Sequence, residues 1–349
     1  MERRTNRNIL ITGACGTVGE ILVETLLNDS NWSFDRLIGV DNRESELVKA
    51  QRIYEYDSRV SFHFADIRDS AKMSSLCEGM DVVIHAAALK HVSIGQQAPE
   101  EIVKTNLIGL QCVLDACIQA KVRKFVFTSS DKAVNPTSAM GTSKLMGEYL
   151  VAAAAERAQR FGGTYVSLRF GNILLSSGSV LELFASQISK GVSLTLTDPN
   201  MTRFVISRNE SAYFILGVAE LAINGSVFIR DMPSLSVGLL AQALIEYCSK
   251  HQIVMYKSPQ LIGARPGEKL YEELYNDTEK SNLYKFSKTS NISFIIPSKY
   301  ITEGKTFANK AVIRAAPNQR SDVSLMKKAE IIDLLESVNF KSYLESLRQ

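Results

Sequence analysis

The feature that most constrains this chain lies near its beginning. Asn8-Ile-Leu-Ile-Thr12 is a short β-branched run, and Gly13-Ala-Cys15-Gly16-Thr17-Val18-Gly19 follows it at once. An amphipathic stretch, Glu20-Ile-Leu-Val-Glu-Thr-Leu-Leu27, comes next. A strand, a glycine loop and a helix in that order let backbone amides approach a pyrophosphate at the positive end of a helix. Gly13, Cys15, Gly16, Thr17, Val18 and Gly19 are therefore candidate dinucleotide contacts. Glycines three apart also occur by chance, so the loop needs support from the strands that follow.

That support comes from strand ends. Arg36-Leu-Ile-Gly-Val40 ends in Asp41, about twenty residues beyond the loop, where a carboxylate accepts adenosine ribose hydroxyls and repels a 2′-phosphate. Asn42 and Arg43 follow, and an arginine there can hold that phosphate; the carboxylate favours NAD over NADP. Val60-Ser-Phe-His-Phe64 leads to Asp66 and Ile67, where the carboxylate can meet an adenine amine. Asp81-Val-Val-Ile-His85 ends in Ala86, Ala87 and Ala88, small residues that let a cofactor lie against backbone. Lys90 and His91 come next as candidate substrate contacts. Asn106 sits in an otherwise apolar helical run, where a buried amide needs partners. Alternating strand and helix signals predict an α/β fold, a doubly wound parallel sheet.

The fifth strand signal, Lys124-Phe-Val-Phe-Thr128, delivers the densest chemistry. Within a few residues come Ser129, Ser130, Asp131 and Lys132, and then Met140 and Lys144 as a helical run begins. Strand-to-helix connections usually take about two to six residues. This one is longer and places an acid beside a base.

Composition excludes several classes. A net charge of +3 is too small to argue for nucleic acid or an anionic membrane surface. No apolar run approaches the roughly 18 residues of a membrane span, and the N-terminus leads straight into a strand with no room for a signal peptide. Five scattered cysteines and four separated histidines give neither disulfide nor metal-ligand spacing, so a reduced, cytoplasmic protein without a metal is expected.

Together these residues resemble the extended short-chain dehydrogenases/reductases, which use the Gly-x-x-Gly-x-x-Gly loop. The closest likeness is to bacterial UDP-N-acetylglucosamine 4,6-dehydratases of polysaccharide biosynthesis. It rests on His85-Ala-Ala-Ala-Leu-Lys-His-Val92, Ser130-Asp-Lys-Ala-Val-Asn-Pro136, Met140-Gly-Thr-Ser-Lys144, Arg169-Phe-Gly-Asn-Ile-Leu-Leu-Ser-Ser-Gly-Ser-Val180 and Arg265-Pro-Gly-Glu-Lys-Leu-Tyr-Glu-Glu-Leu274. Two departures stand out. Serine replaces the usual threonine before Asp131-Lys132, and Met140 occupies the place of the catalytic tyrosine in Tyr-x-x-x-Lys, as in some large membrane-anchored members.

The resemblance implies a Rossmann-type NAD domain over 1–170, with a returning segment at about 204–235. A smaller α/β substrate lobe and C-terminal extension then span 171–203 and 236–349. It implies oxidation at carbon 4 of a UDP-sugar, loss of water across carbons 5 and 6, and hydride return to carbon 6. Asp131 would be the acid at the carbon 6 hydroxyl. Lys132 would be the base at carbon 5, which requires a neutral amine with its pKa lowered from about 10.4 towards 7–8. Ser130 would hold the carbon 4 oxygen, and Lys144 the nicotinamide ribose beside Asn106. Met140 cannot accept a proton. Asn172, Ser179, Val180, Thr202, Arg203, Arg265 and Glu268 would line the sugar and diphosphate site, and a homo-oligomer is expected. Helices are predicted at 211–222, 236–249 and 324–337, and 276–310 carries no assignable site. A nucleotide-sugar 4-epimerase and a non-catalytic NAD-binding protein are the competing readings.

Overall fold

Apolar residues decide the layers. In the computed structural model, which describes residues 7–221, 223–253, 258–286, 292–295, 312–314 and 319–347, strands and helices alternate from the start. Strands β1 (Asn8–Thr12), β2 (Arg36–Asp41), β3 (Val60–Phe64), β4 (Val82–His85), β5 (Lys124–Thr128) and β6 (Thr164–Arg169) make the first half. Helices α1 (Thr17–Asn28), α2 (Glu44–Ile53), α3 (Ser70–Cys77), α4 (Val92–Gln97), α5 (Pro99–Ile102), α6 (Leu110–Gln119) and α7 (Ala139–Gln159) connect them. Ile9 and Ile11 of β1 pack into one apolar layer with Leu22 and Leu26 of α1. Leu10 packs into the other with Leu114 of α6 and Val151 of α7. A strand covered on both faces needs such a continuous apolar run.

Beyond β6 come β7 (Asn172–Ile173), α8 (Val180–Ser189), β8 (Thr195–Leu196), β9 (Thr202–Ile206), α9 (Arg208–Leu221) and β10 (Val227–Arg230). Seven strands run parallel in the order β3-β2-β1-β4-β5-β6-β10, the Rossmann-type doubly wound sheet predicted from sequence. The order reverses between β1 and β4, which opens a crevice at the carboxyl ends of the strands.

The smaller lobe adds β11 (Ser234–Ser236), α10 (Val237–Lys250), β12 (Gln260–Leu261), α11 (Lys328–Ser337) and α12 (Phe340–Ser346). Strands β11, β9 and β7 form a separate sheet, and Phe184, Leu244, Ile331 and Phe340 share the core of the lobe. The division expected from sequence shifts in two places. Of 204–235, α9 and β10 return to the large sheet, while β9 pairs in the small sheet and packs Phe204 and Ile206 against the core of the large one. Strands β13 (Leu283–Phe286), β14 (Ile292–Ile295) and β15 (Val312–Arg314), inside the segment expected as lobe, extend the large sheet antiparallel beyond β10. Short apolar islands in a polar stretch gave no clear strand signal there.

The predicted helices appear as α9, α10 and α11, with α12 additional. The run around Asn106 is a π-helical turn, Val103–Gly109, between α5 and α6. Residues 1–6, 222 and 296–310, on which parts of the sequence reading fall, lie outside the described residues. Among the described residues no helix is long and apolar enough to cross a membrane.

Candidate active site

The carboxyl ends of the parallel strands border one cavity of about 660 Å³. Its cofactor-side wall is mostly backbone. Gly13 has φ +70°, and a Cβ there would stand 2.7 Å from the amide nitrogen of Ala87. A Cβ on Gly19 would stand 2.3 Å from the Gly13 carbonyl oxygen, so both positions exclude side chains. Gly16 begins α1 with no side-chain cap, leaving first-turn amides beside Thr17 and Val18 on the wall. Asp41 is buried and accepts the Cys15 amide at 3.0 Å. It also accepts the backbone N–H and guanidinium of half-exposed Arg43. Asn42, Arg43, Asp66, Ile67 and Ala86 to Ala88 complete this wall, with Asp66 held by Arg68.

Three cofactor candidates do not border the cavity. Cys15 is buried, its thiol pushed up to about 11 by burial and by Asp41, and it contributes only its amide to Asp41. Gly19 serves the close packing of loop on helix. Asn106 is spent on the frame: its Oδ1 accepts the Leu89 N–H at 2.8 Å. Its Nδ2 donates to the Leu89 carbonyl at 2.9 Å and to Ser143 Oγ at 3.0 Å. It therefore ties the π-helical turn and α7 to the loop after β4, and shapes the alanine wall from behind.

The other wall is made of charge. Ser130 caps the short turn Asp131–Ala133 and donates its hydroxyl to Asp131 Oδ1 at 2.9 Å. Asp131 is fully buried behind the wall, and its Oδ2 has no hydrogen-bond partner. Lys132 reaches the cavity and spreads its ammonium over three acceptors: Asp131 Oδ1 at 2.9 Å, Asn172 Oδ1 at 3.0 Å and Glu272 Oε1 at 3.5 Å.

The charges around Lys132 do not favour the lowered pKa expected from sequence. Burial alone would lower the Lys132 pKa, but Asp131 and Glu272 outweigh it and the net shift is upward. Lys132 is thus an ammonium in this state, not a free amine. Burial does push down Lys144, to about 8 against the opposing Glu148 carboxylate. Its ammonium donates to the Thr128 carbonyl at 2.8 Å and lies 4.8 Å from the Phe127 ring centre. Met140 borders the cavity, and a Cβ on Gly141 would stand 2.4 Å from the Lys132 carbonyl, so α7 is pressed against the Asp131–Lys132 turn.

Lys90, His91, Asn172, Ser179, Val180, Arg203, Arg265 and Glu268 all border the cavity. Burial lowers the pKa of both Lys90 and His91. Ser179 caps α8, and Glu268 accepts the Arg265 backbone N–H at 3.0 Å, leaving the Arg265 side chain exposed. Two substrate candidates play other parts. Thr202 is buried against Ser321 at 2.8 Å, and Ser321 in turn accepts the Glu272 amide. Arg203 donates to the carbonyls of Thr202 and Lys269, and its Nε lies 4.0 Å from Glu272, so it belongs to the charge cluster rather than to a phosphate.

Glu272 is the residue the sequence reading missed. It is buried, borders the cavity, and has an Oε2 without a hydrogen-bond partner. Its only sequence signal was a carboxylate inside the 265–274 string, read there for nucleotide contacts. Behind the cluster, fully buried Arg169 pairs with Glu148 at 2.7 Å and Glu279 at 2.8 Å, and Ser129 donates to Glu148 at 2.6 Å. Strand β6, helix α7 and the segment carrying Glu272 are thereby held together.

Comparison with known proteins places this geometry. A family model described as polysaccharide biosynthesis protein matches residues 9–293. The chain is 35% identical over 312 residues to a UDP-N-acetylglucosamine 4,6-dehydratase (inverting) of Campylobacter jejuni, covering 88% of each. It is 36% identical over 276 residues to a UDP-glucose 4-epimerase of Rickettsia prowazekii, covering 78% of this chain and 79% of the relative. The solved structure of Pen from Bacillus thuringiensis superposes with a TM-score of 0.87 at 31% identity, over 96% of this chain and 98% of Pen. With an extended short-chain dehydrogenase/reductase fold and a family match over most of its length, the chain belongs to the polysaccharide biosynthesis protein family.

Proposed function

We propose that the chain dehydrates UDP-N-acetylglucosamine to a UDP-4-keto-6-deoxy-N-acetylhexosamine, with NAD as its cofactor. The observation that carries this reading is the Asp131–Lys132 ion pair, with Lys132 and Ser130 on the cavity wall beside Met140 and Asp131 directly behind them. Elimination across carbons 5 and 6 needs an acid and a base together, and these residues supply both.

The cofactor fit rests on the backbone cradle. Gly13 and Gly16 leave the space a pyrophosphate needs, and Asp41 faces the place of an adenosine ribose. A 2′-phosphate would meet the Asp41 carboxylate as well as Arg43, which favours NAD. Bound NAD would supply the redox chemistry at carbons 4 and 6.

The protein's part is to place the sugar and move protons. Arg265 is suited to a diphosphate oxygen and Glu268 to ribose hydroxyls. Ser130 would hold the carbon 4 hydroxyl and pass its proton to Asp131 Oδ1, 2.9 Å away. Asp131 thereby becomes an acid. It can return that proton over Ser130 to the departing carbon 6 hydroxyl, while Lys132, once it has given up a proton of its own, takes the proton of carbon 5 and later gives it back. The proton lost at carbon 4 leaves in the water formed at carbon 6, so the count closes without a tyrosine at position 140.

The relative from Rickettsia supports a second reading, a nucleotide-sugar 4-epimerase. That reaction needs a base only at carbon 4 and has no use for Asp131-Lys132. Incubation with UDP-N-acetylglucosamine and NAD, read by NMR, separates the two. A 4-keto-6-deoxy product supports dehydration; UDP-N-acetylgalactosamine would replace it with epimerisation.

A further inference from the structure

The charge cluster contains one more carboxylate than the dehydration scheme uses. Resting on the dehydratase reading, the proton count becomes specific at this point. Lys132 is held as an ammonium and must lose a proton before it can take one from carbon 5. Asp131 cannot receive that proton and the carbon 4 proton as well. Its Oδ1 already accepts Ser130 and Lys132, and it holds one proton per turnover. Asn172 Oδ1, at 3.0 Å from the ammonium, is an amide oxygen and no base. The remaining acceptor of the Lys132 ammonium is Glu272 Oε1, 3.5 Å away.

We infer that Glu272 is the positioning residue that discharges Lys132. When the sugar is bound, an N–H bond of the ammonium breaks and an O–H bond forms on the Glu272 carboxylate. The ion pair becomes a neutral amine beside a neutral acid, with no change in total charge. The amine then serves carbon 5, and Glu272 returns its proton once carbon 5 has been reprotonated.

Burial and surroundings suit this task. The Glu272 side chain is 3% exposed, and burial pushes its carboxyl above the usual range, with Asp131 adding to the shift. Lys132, Arg203 at 4.0 Å and Lys269 at 3.9 Å oppose it. The orphaned Oε2 is a second site at which a proton can rest. Arg203 and Lys269 keep two cations beside the carboxylates, so the total charge of the cluster is the same whether the proton sits on Lys132 or on Glu272. The anchoring of the Glu272 amide to Ser321, which Thr202 holds in turn, fixes the carboxylate opposite Lys132.

The test compares full-length wild type with Glu272→Gln and Glu272→Asp, using UDP-N-acetylglucosamine, NAD and NMR detection of product across pH. Glutamine keeps the shape and cannot take the proton. It is expected to lower product formation about 100-fold near neutral pH, within the range for a lost proton transfer. In this variant Lys132 can discharge only to solvent, so the rate should climb tenfold per pH unit where wild type is flat. Aspartate should restore most of the rate and the flat profile. NAD titration and thermal unfolding check that each variant is folded. A Glu272→Gln protein with wild-type rate and profile overturns the inference. So does one whose loss is independent of pH and is not relieved by aspartate, because that is a packing defect. If wild type itself makes no 4-keto-6-deoxy product, the dehydratase reading fails and the role of Glu272 falls with it. That result differs from failure of the Glu272 variants alone.

Discussion

The two walls of the cavity are built from opposite materials. The cofactor-side wall is backbone at close quarters: Gly13 against Ala87, Gly19 against the Gly13 carbonyl, and the open first turn of α1. The facing wall is charge, with Lys132 between Asp131, Asn172 and Glu272, and Arg203 and Lys269 beside Glu272. A backbone wall is specified by sterics within one βα unit. A charge wall exists only once strand ends and loops up to 140 positions apart have met. The first should therefore fail by losing space and the second by losing balance, and the two kinds of failure should be separable.

The largest separation is expected at Lys132. Lys132→Ala removes the cation that Asp131 and Glu272 share and, on the proposed dehydration, the base at carbon 5. Formation of the 4-keto-6-deoxy product should fall about 1,000-fold. NAD affinity, measured by titration, should stay close to wild type, since no group of the glycine-loop wall touches Lys132. Equal losses in both measurements would show that the walls are one unit.

Arg169 tests what joins the walls. It is 1% exposed and bonded to both Glu148 and Glu279. Arg169→Met would strand two carboxylates, at a cost of about 3–5 kcal/mol, seen as a lower midpoint in urea unfolding. Because the network anchors the segment after Glu272, turnover in the folded fraction should drop more than NAD affinity does.

Gly13→Ala attacks the backbone wall alone. The left-handed conformation costs a non-glycine residue about 1–2 kcal/mol, and the new Cβ meets Ala87 at 2.7 Å. About 2 kcal/mol taken from the bound state weakens NAD binding roughly 30-fold. Product formation at saturating NAD should recover, which no variant of the charge wall would allow.

The same contrast governs what the sequence makes legible. Gly13, Gly16, Asp41 and Ala86 to Ala88 were readable because each follows a strand in its own βα unit, and spacing alone brings them together. Asn106 was visible as a polar residue on an apolar run, but its partners, the backbone of Leu89 and the hydroxyl of Ser143, belong to other elements. Lys132 was found, but the second carboxylate that favours its ammonium was not. Burial could be guessed from the strand end, whereas Glu272 stands 140 positions away in sequence and only the fold brings it to 3.5 Å. Strands β13 to β15 escaped for a related reason, since runs of three or four residues leave no strong period in sequence and their pairing needs β10 far upstream.

The smallest effect, at Lys144, separates stability from binding by sign. Its native pKa of about 8 lies below the ordinary 10.5, through burial against the opposing Glu148. A cation with a lowered native pKa adds stability that is fully present above its unfolded pKa and is lost as pH falls through the native one. Between about 10.5 and 8, then, falling pH should weaken the fold through this group, because the unfolded chain takes up a proton that the buried amine resists. NAD binding should move the other way. If the ammonium holds the nicotinamide ribose, affinity is greatest below pH 8 and declines a few-fold by one pH unit above it. Thermal unfolding and NAD titration over the same pH series would show the two trends crossing. Lys144→Arg keeps its charge throughout, so its NAD affinity should be flat over that range. If the arginine variant instead follows the wild-type decline, the titrating group lies elsewhere on the cofactor-side wall, and Lys144 belongs to the frame.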